Sequence, residues 1–128
     1  MFQFRDADPK VLERMEAALQ EKIAVFDHAG PCKVSVDVIR QSTPAVMHES
    51  FQRALDEAAA LHAPGLGIRM PSGAGHDAQH IACVMPAAMM FVPSIGGISH
   101  HWSENTSDDD IVLGARVFTD AIASVLKG

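Results

Sequence analysis

The stretch AAMMFV, Ala87 to Val92, carries no polar side chain and is bounded by Pro86 and Pro93. A run this short and this apolar is expected to be a strand covered on both faces. It asks for helices above and below, and the flanking sequence offers them. Before it, Phe51, Leu55, Ala58 and Leu61 or His62 fall on one stripe of a helix expected from about Met47 to His62. After it, Ser107 and Asp110 form a capping-box-like start. Ile111, Ala115, Phe118, Ile122 and Val125 then share one face of a final helix. A second strand is expected at Gly67 to Met70, and a short helix from about Asp77 to Cys83. Helices alternating with strands argue for an α/β sandwich with some parallel pairing. Two buried strands do not make a stable covered sheet, so this part of the chain is expected to need strands from elsewhere.

The first 42 residues read as a separate small unit of the β-α-β kind. Phe2 and Phe4 alternate with Gln3 and Arg5, as a strand with one buried face would. Asp8-Pro9 is a strong helix start, an N-cap followed by proline at the first helical position. Val11, Leu12, Met15, Leu19 and Ile23 mark one face of a helix running to about Lys22. Gly30-Pro31 breaks the chain. Lys33 to Arg40 alternates again, with Val34, Val36 and Val38 on one side and Ser35 and Asp37 on the other. Gln41-Ser42-Thr43-Pro44 is the expected hinge between the two parts.

Composition limits what such a chain does. Its 128 residues suffice for one ordinary domain, and 48% hydrophobic with 20% charged residues suits a globular protein. A net charge of −6 with scattered Lys and Arg gives no basic face for nucleic acid. The longest apolar stretch, Val84 to Ile98, is interrupted by two prolines and two glycines, so no membrane span is expected. The opening MFQFRDADP has acidic residues where a signal peptide needs basic ones, which points to the cytoplasm. Cys32 and Cys83 lie far apart and form no CxxC pair, so both are expected to be reduced and to serve packing.

Two loops have the composition of functional sites. In SGAGHDAQH, Ser72 to His80, three small residues let a ligand approach the backbone, and the following helix start suits a carboxylate. His76 and His80 are spaced i and i+4, so a helix would put both on one face beside Asp77, as in the histidine pair of zinc proteases. The plainer alternative is that Gly73 and Gly75 merely make a tight turn. In PSIGGISHH, Pro93 to His101, paired glycines follow a strand end and put an imidazole where ligands of open α/β sheets collect. A solvated loop or a helix-edge cap would account equally for His100 and His101.

SGAGHDAQ followed by MMFVPSIGGISHHWSENT closely resembles the carboxyl-terminal signature of one enzyme group, and the two motifs come in its order and at about its spacing. The group is the dinuclear-metal amidohydrolases that include N-carbamoyl-L-amino acid hydrolase, allantoate amidohydrolase and β-ureidopropionase, within the aminoacylase and carboxypeptidase-like metallopeptidase superfamily. FQFRDADPKVLERMEAAL resembles the end of that family's small inserted domain, which dimerises and closes over substrate. The resemblance therefore implies that residues 1–42 are a remnant of the dimerisation (lid) domain. Residues 43–128 become the carboxyl-terminal part of a metallopeptidase-like α/β catalytic domain.

By the same resemblance His100 is a metal ligand, and His101 stands where the family varies. Arg5 would clamp the substrate carboxylate, a match of guanidinium fork to carboxylate. Gly75 and His76 would contact substrate nearby, and Glu104 would orient the metal histidine as an outer partner. His80 has no counterpart. The family uses two metal ions, zinc or manganese, to activate a water, with a glutamate as general base. Its other ligands, a His-x-Asp pair and a Glu-Glu or Glu-Gln pair, have no match in this chain. The implication is a carboxyl-terminal segment, truncated or a gene remnant, that is inactive alone and homodimeric. Its substrate would be a small carboxylate bearing a carbamoyl or ureido group. The rival readings are a small dimeric binding or assembly module without catalysis, one half of a split enzyme, and a complete small zinc enzyme using His76, His80 and His100 or His101.

Overall fold

Asp8 stops the opening segment because its carboxylate caps a helix. Its Oδ1 accepts the Lys10 N–H at 2.9 Å, and Pro9 needs no partner at the first position. In the computed structural model, which describes residues 2–39 and 42–127, the helix that follows is α1, Pro9–Ala29. It ends where the Gly30 N–H donates to the Phe26 carbonyl at 2.9 Å. The other helices are α2 (Glu49–His62), α3 (Asp77–Ile81) and α4 (Asp108–Lys127), with a single 3₁₀ turn at Ile95–Gly97. The chain divides into two units, Met1–Ala45 with Pro71–Gly75, and Val46–Met70 with His76–Gly128.

In the first unit α1 runs seven residues past the expected end at Lys22. Ala24, Val25 and Phe26 are not helix breakers, and only Gly30-Pro31 stops it. Val11, Leu12, Leu19 and Ile23 are half-buried as their spacing implies, yet none is fully buried. Asp27 then holds the chain after the turn. Its Oδ1 accepts the Val34 N–H at 2.9 Å, and its carboxylate lies 3.7 Å from Lys33 Nζ.

The second unit is built on α2 against α4. Ala54 and Ala58 of α2 meet Val117 and Ala121 of α4, with Leu55, Ala59 and Met90 packed around them. Gly114 is buried on the same side of α4. No buried side chain among the described residues is larger than valine. The His62 ring Nε2 meets Asp120 Oδ2 at 2.5 Å and ties the end of α2 to α4. After α2 the chain reverses through Gly65, at φ 78°, and returns along the helix it has just left. Arg69 fixes that return. It reaches Glu49 Oε2 at 3.1 Å through Nη1 and Asp56 Oδ2 at 2.8 Å through Nε, and the two acids stand two turns apart on α2.

Three sequence expectations change here. First, among the described residues no strand ladder forms. Phe2–Arg5, residues 33–39, Gly67–Met70 and Ala87–Val92 do not pair with one another. A strand is completed by a neighbour's backbone groups, which alternation alone cannot supply. Arg40 and Gln41, in the expected strand and hinge, lie outside the described residues. Second, the face of α4 named from large residues is not the packed one. Ile111, Ala115, Phe118, Ile122 and Val125 are all exposed, while the small-residue side, Gly114, Val117 and Ala121, meets α2. Third, Ala87–Val92 is covered on one side only. Ala87 is buried and Met90 leans on the helix pair, but Phe91 is 53% exposed.

Candidate functional site

Arg5 is the first of the expected site residues. Its Nη1 donates to the Gly73 carbonyl at 2.6 Å, and its Nη2 donates to Gln3 Oε1 at 3.2 Å. The contact joins residues 68 apart in the chain and lays the guanidinium along the Ser72–Gly75 loop. A Cβ at Gly73 would stand 3.5 Å from Arg5 Cδ, so the stem of the arginine also touches that loop. Both acceptors are neutral. Among the described residues no carboxylate pairs with Arg5, so its charge and several of its five donors remain available. Gly75 lies exposed two residues beyond the contacted carbonyl.

His76 caps the start of α3 with an extended backbone, φ −131° and ψ 150°. Its half-buried ring stands 5.4 Å from the Phe91 ring, centroid to centroid, tilted by 54°. That position changes the i, i+4 expectation. His76 lies outside the helix and His80 within its last turn, so the pair does not share a helix face.

His100 sits on the loop after the apolar run. Its own φ is 62°, and Gly96 and Gly97 before it lie at 69° and 67°. Local hydrogen bonds close this loop on itself. The Ile95 N–H donates to the Asn105 carbonyl at 2.8 Å, and the Glu104 N–H donates to the His101 carbonyl at 2.9 Å. Glu104, expected as an outer partner of His100, contacts its main chain. Its Oε2 accepts the His100 backbone N–H at 2.8 Å. The His100 side chain is exposed. His101 is occupied differently: its Nδ1 lies 2.8 Å from Ser103 Oγ and accepts the Ser103 N–H at 3.3 Å.

A metal centre needs more than this. Catalytic zinc takes about three protein ligands, and among the described residues no group of three or more His, Cys, Asp or Glu side chains converges. The most perturbed electrostatics lie elsewhere, in a cluster the sequence reading missed. Hydrogen bonds from Arg69, and then its charge, hold Glu49 below the ordinary carboxylate value, and Arg69 is raised by the same two partners. The signal was present in Glu49 and Asp56, seven apart on one helix face, but their cation comes from the return segment. No helix among the described residues is long and apolar enough to cross a membrane.

Over 88 residues, 68% of this chain, the sequence is 41% identical to allantoate amidohydrolase of Bacillus subtilis, of which it covers 21%. It is 36% identical over 105 residues, 81% of this chain, to an uncharacterized hydrolase of Haemophilus influenzae, covering 25% of that protein. The crystal structure of an amidase of the hydantoinase/carbamoylase family from Burkholderia phymatum superposes with a TM-score of 0.83 at 37% identity, over 94% of this chain and 28% of that one. The chain thus shares that protein's fold over nearly all its length, while spanning about a quarter of the length of the curated relatives it matches. The family model for peptidase family M20/M25/M40 runs from residue 6 to 124, through α1, the Ser72–Gly75 loop and the His100 loop, and to that family the chain belongs.

Proposed function

We propose that these residues work as the carboxyl-terminal part of a metal-dependent amidohydrolase that cleaves a carbamoyl or ureido C–N bond of a small carboxylate substrate. Residues 1–42 then belong to a lid and dimerisation domain and residues 43–128 to an α/β catalytic domain. Segments outside these 128 residues would supply the neighbours that Ala87–Val92 and the exposed face of α4 lack. The observation that carries the reading is Arg5 resting on the Ser72–Gly75 loop with no acid among the described residues to neutralise it. A guanidinium so held suits a carboxylate. In this reading Arg5 binds and orients that group, Gly75 and His76 line the substrate beside it, and His100 offers one imidazole to a metal. Zinc or manganese would supply water activation and carbonyl polarisation when bound. The general base and the remaining ligands are not among the residues of this chain, which is therefore expected to be inactive alone. Its setting in this reading is the cytoplasm.

The test has two arms. The purified chain is incubated with zinc or manganese and N-carbamoyl amino acids or allantoate, and ammonia is measured. No release above background is expected, and metal-dependent release at ordinary enzyme rates would refute the assignment of roles. In the second arm, N-carbamoylglycine is titrated into labelled protein. Amide shifts at Ser72–His76 that vanish in Arg5→Met support the carboxylate site, and shifts that persist in that variant exclude it.

A dimeric binding module is favoured by one observation, the exposed valines of the 33–39 segment, Val34, Val36 and Val38 at 39%, 47% and 68%. An exposed extended segment of alternating valines invites pairing with a second copy. A stable metal-free dimer that binds the carboxylate and gains no activity when the rest of a family enzyme is supplied would favour it.

A further inference from the structure

His100 is the single non-glycine residue among those described with a positive φ, at 62°. An L-residue is disfavoured there because its Cβ crowds the following carbonyl. Gly96 and Gly97, in the same loop, meet the same demand without a Cβ. A histidine in this region persists only when its surroundings over-determine it. The surroundings here are specific. Glu104 Oε2 takes the His100 N–H at 2.8 Å. The Glu104 backbone is fixed in turn by its N–H to the His101 carbonyl, and the loop ends are joined through Ile95 and Asn105.

We propose that Glu104 is a positioning residue: its carboxylate staples the His100 backbone in the left-handed conformation and so fixes the direction of the Cα–Cβ bond that carries the exposed imidazole before any ligand arrives. Glu104 acts through the main chain and not by touching the ring. The loop is preformed by its own hydrogen bonds, so the root of the imidazole is set before the ring meets a ligand. This goes beyond the proposed function and stands whichever ligand His100 takes.

The experiment uses the full chain, labelled with ¹⁵N and ¹³C, and reads two things at His100: amide hydrogen exchange and the Cα and Cβ shifts that report a left-handed residue. In the parent the His100 amide should exchange at least ~10-fold more slowly than expected for an unbonded amide. Glu104→Ala should abolish that protection and move the His100 shifts, with the amides of α4 unchanged. Glu104→Gln, which keeps a side-chain oxygen acceptor, should restore most of both. A second pair of variants guards against general loosening. Glu104→Ala should speed exchange of the Ile95 amide in the parent but not in His100→Gly, where glycine needs no staple. Unchanged His100 exchange in Glu104→Ala, no rescue by Glu104→Gln, loss of protection spread through α4, or an unprotected loop in the parent would each overturn the proposal. No readout involves metal or substrate, so failure here leaves the amidohydrolase reading intact, and lack of carbamoyl binding leaves this one intact.

Discussion

Gly114→Ala sets two ordinary rules against each other. In an exposed helix interior the change gains about 0.8–1 kcal/mol, because glycine is the poorer helix former. At this position the new methyl would run into Val92 Cγ1, more than about 1 Å inside the ~3.5–4.0 Å optimum between carbon atoms. Met90 Cε, at 3.8 Å, would be in ordinary contact. Val92 is β-branched and has few rotamers to retreat into. Forcing a methyl into a filled site costs about 1–3 kcal/mol. Strain should therefore exceed the helix gain, and Gly114→Ala is expected to destabilise by about 1 kcal/mol, at most ~2. The assay is urea unfolding followed by far-UV circular dichroism on the parent, Gly114→Ala, Val92→Ala and the double variant. Val92→Ala removes the obstructing methyl, so in that background Gly114→Ala should become neutral or stabilise by up to ~1 kcal/mol. The coupling between the sites should be about 1–3 kcal/mol with unchanged denaturant slopes. A raised urea midpoint for Gly114→Ala in the parent, or the same shift in both backgrounds, would refute the packing of the apolar run over α4.

Other measurements probe the remaining contacts. Glu49 is held below its ordinary value of 4.5 mainly by hydrogen bonds from Arg69. A depressed carboxylate contributes stability that is fully present above that value and fades as pH falls through the lower folded one. Its carboxyl ¹³C titration should have a midpoint below 4.5 that rises again in Arg69→Met, and a parent midpoint at or above 4.5 would contradict the bridge. Ser107 Oγ accepts the Asp110 N–H at 3.1 Å and donates to Asp110 Oδ2 at 2.6 Å. Ser107→Ala should cost about 1 kcal/mol in urea unfolding, and a change within error would mean the cap is not formed in solution.

Which features the sequence revealed follows from how local their causes are. The starts of α1 and α4 were legible because a cap is made by residues two or three apart, Asp8 with Lys10 and Ser107 with Asp110. The packed face of α4 was not. Hydrophobic periodicity weights Phe118 and Ile122, whereas the seam with α2 is built from Gly114 and Ala121 against Ala54 and Ala58. Small residues score weakly by hydropathy and are chosen for fit. The strand-like runs show the correct alternation, but a ladder is a property of two segments, and these four do not supply one another. Of the candidate site, the Ser72–Gly75 loop was named from its small residues and Arg5 through the resemblance, and the hydrogen bond to Gly73 brings them together. Glu104 was named as a partner of the His100 imidazole, and the hydrogen bond it makes is to the His100 main chain. Spacing tells that residues 100 and 104 are near, not whether ring or main chain receives the carboxylate.

The bond from Arg5 to the Gly73 carbonyl also has a kinetic side. It joins residues 68 apart in the chain through one exposed side-chain hydrogen bond, while each helix is held by many bonds of its own. Such a tether is among the first to open in local fluctuations. Warming should therefore release the Arg5 guanidinium while ellipticity is still intact, so that the Arg5–Gly73 contact and helix content are lost at different temperatures.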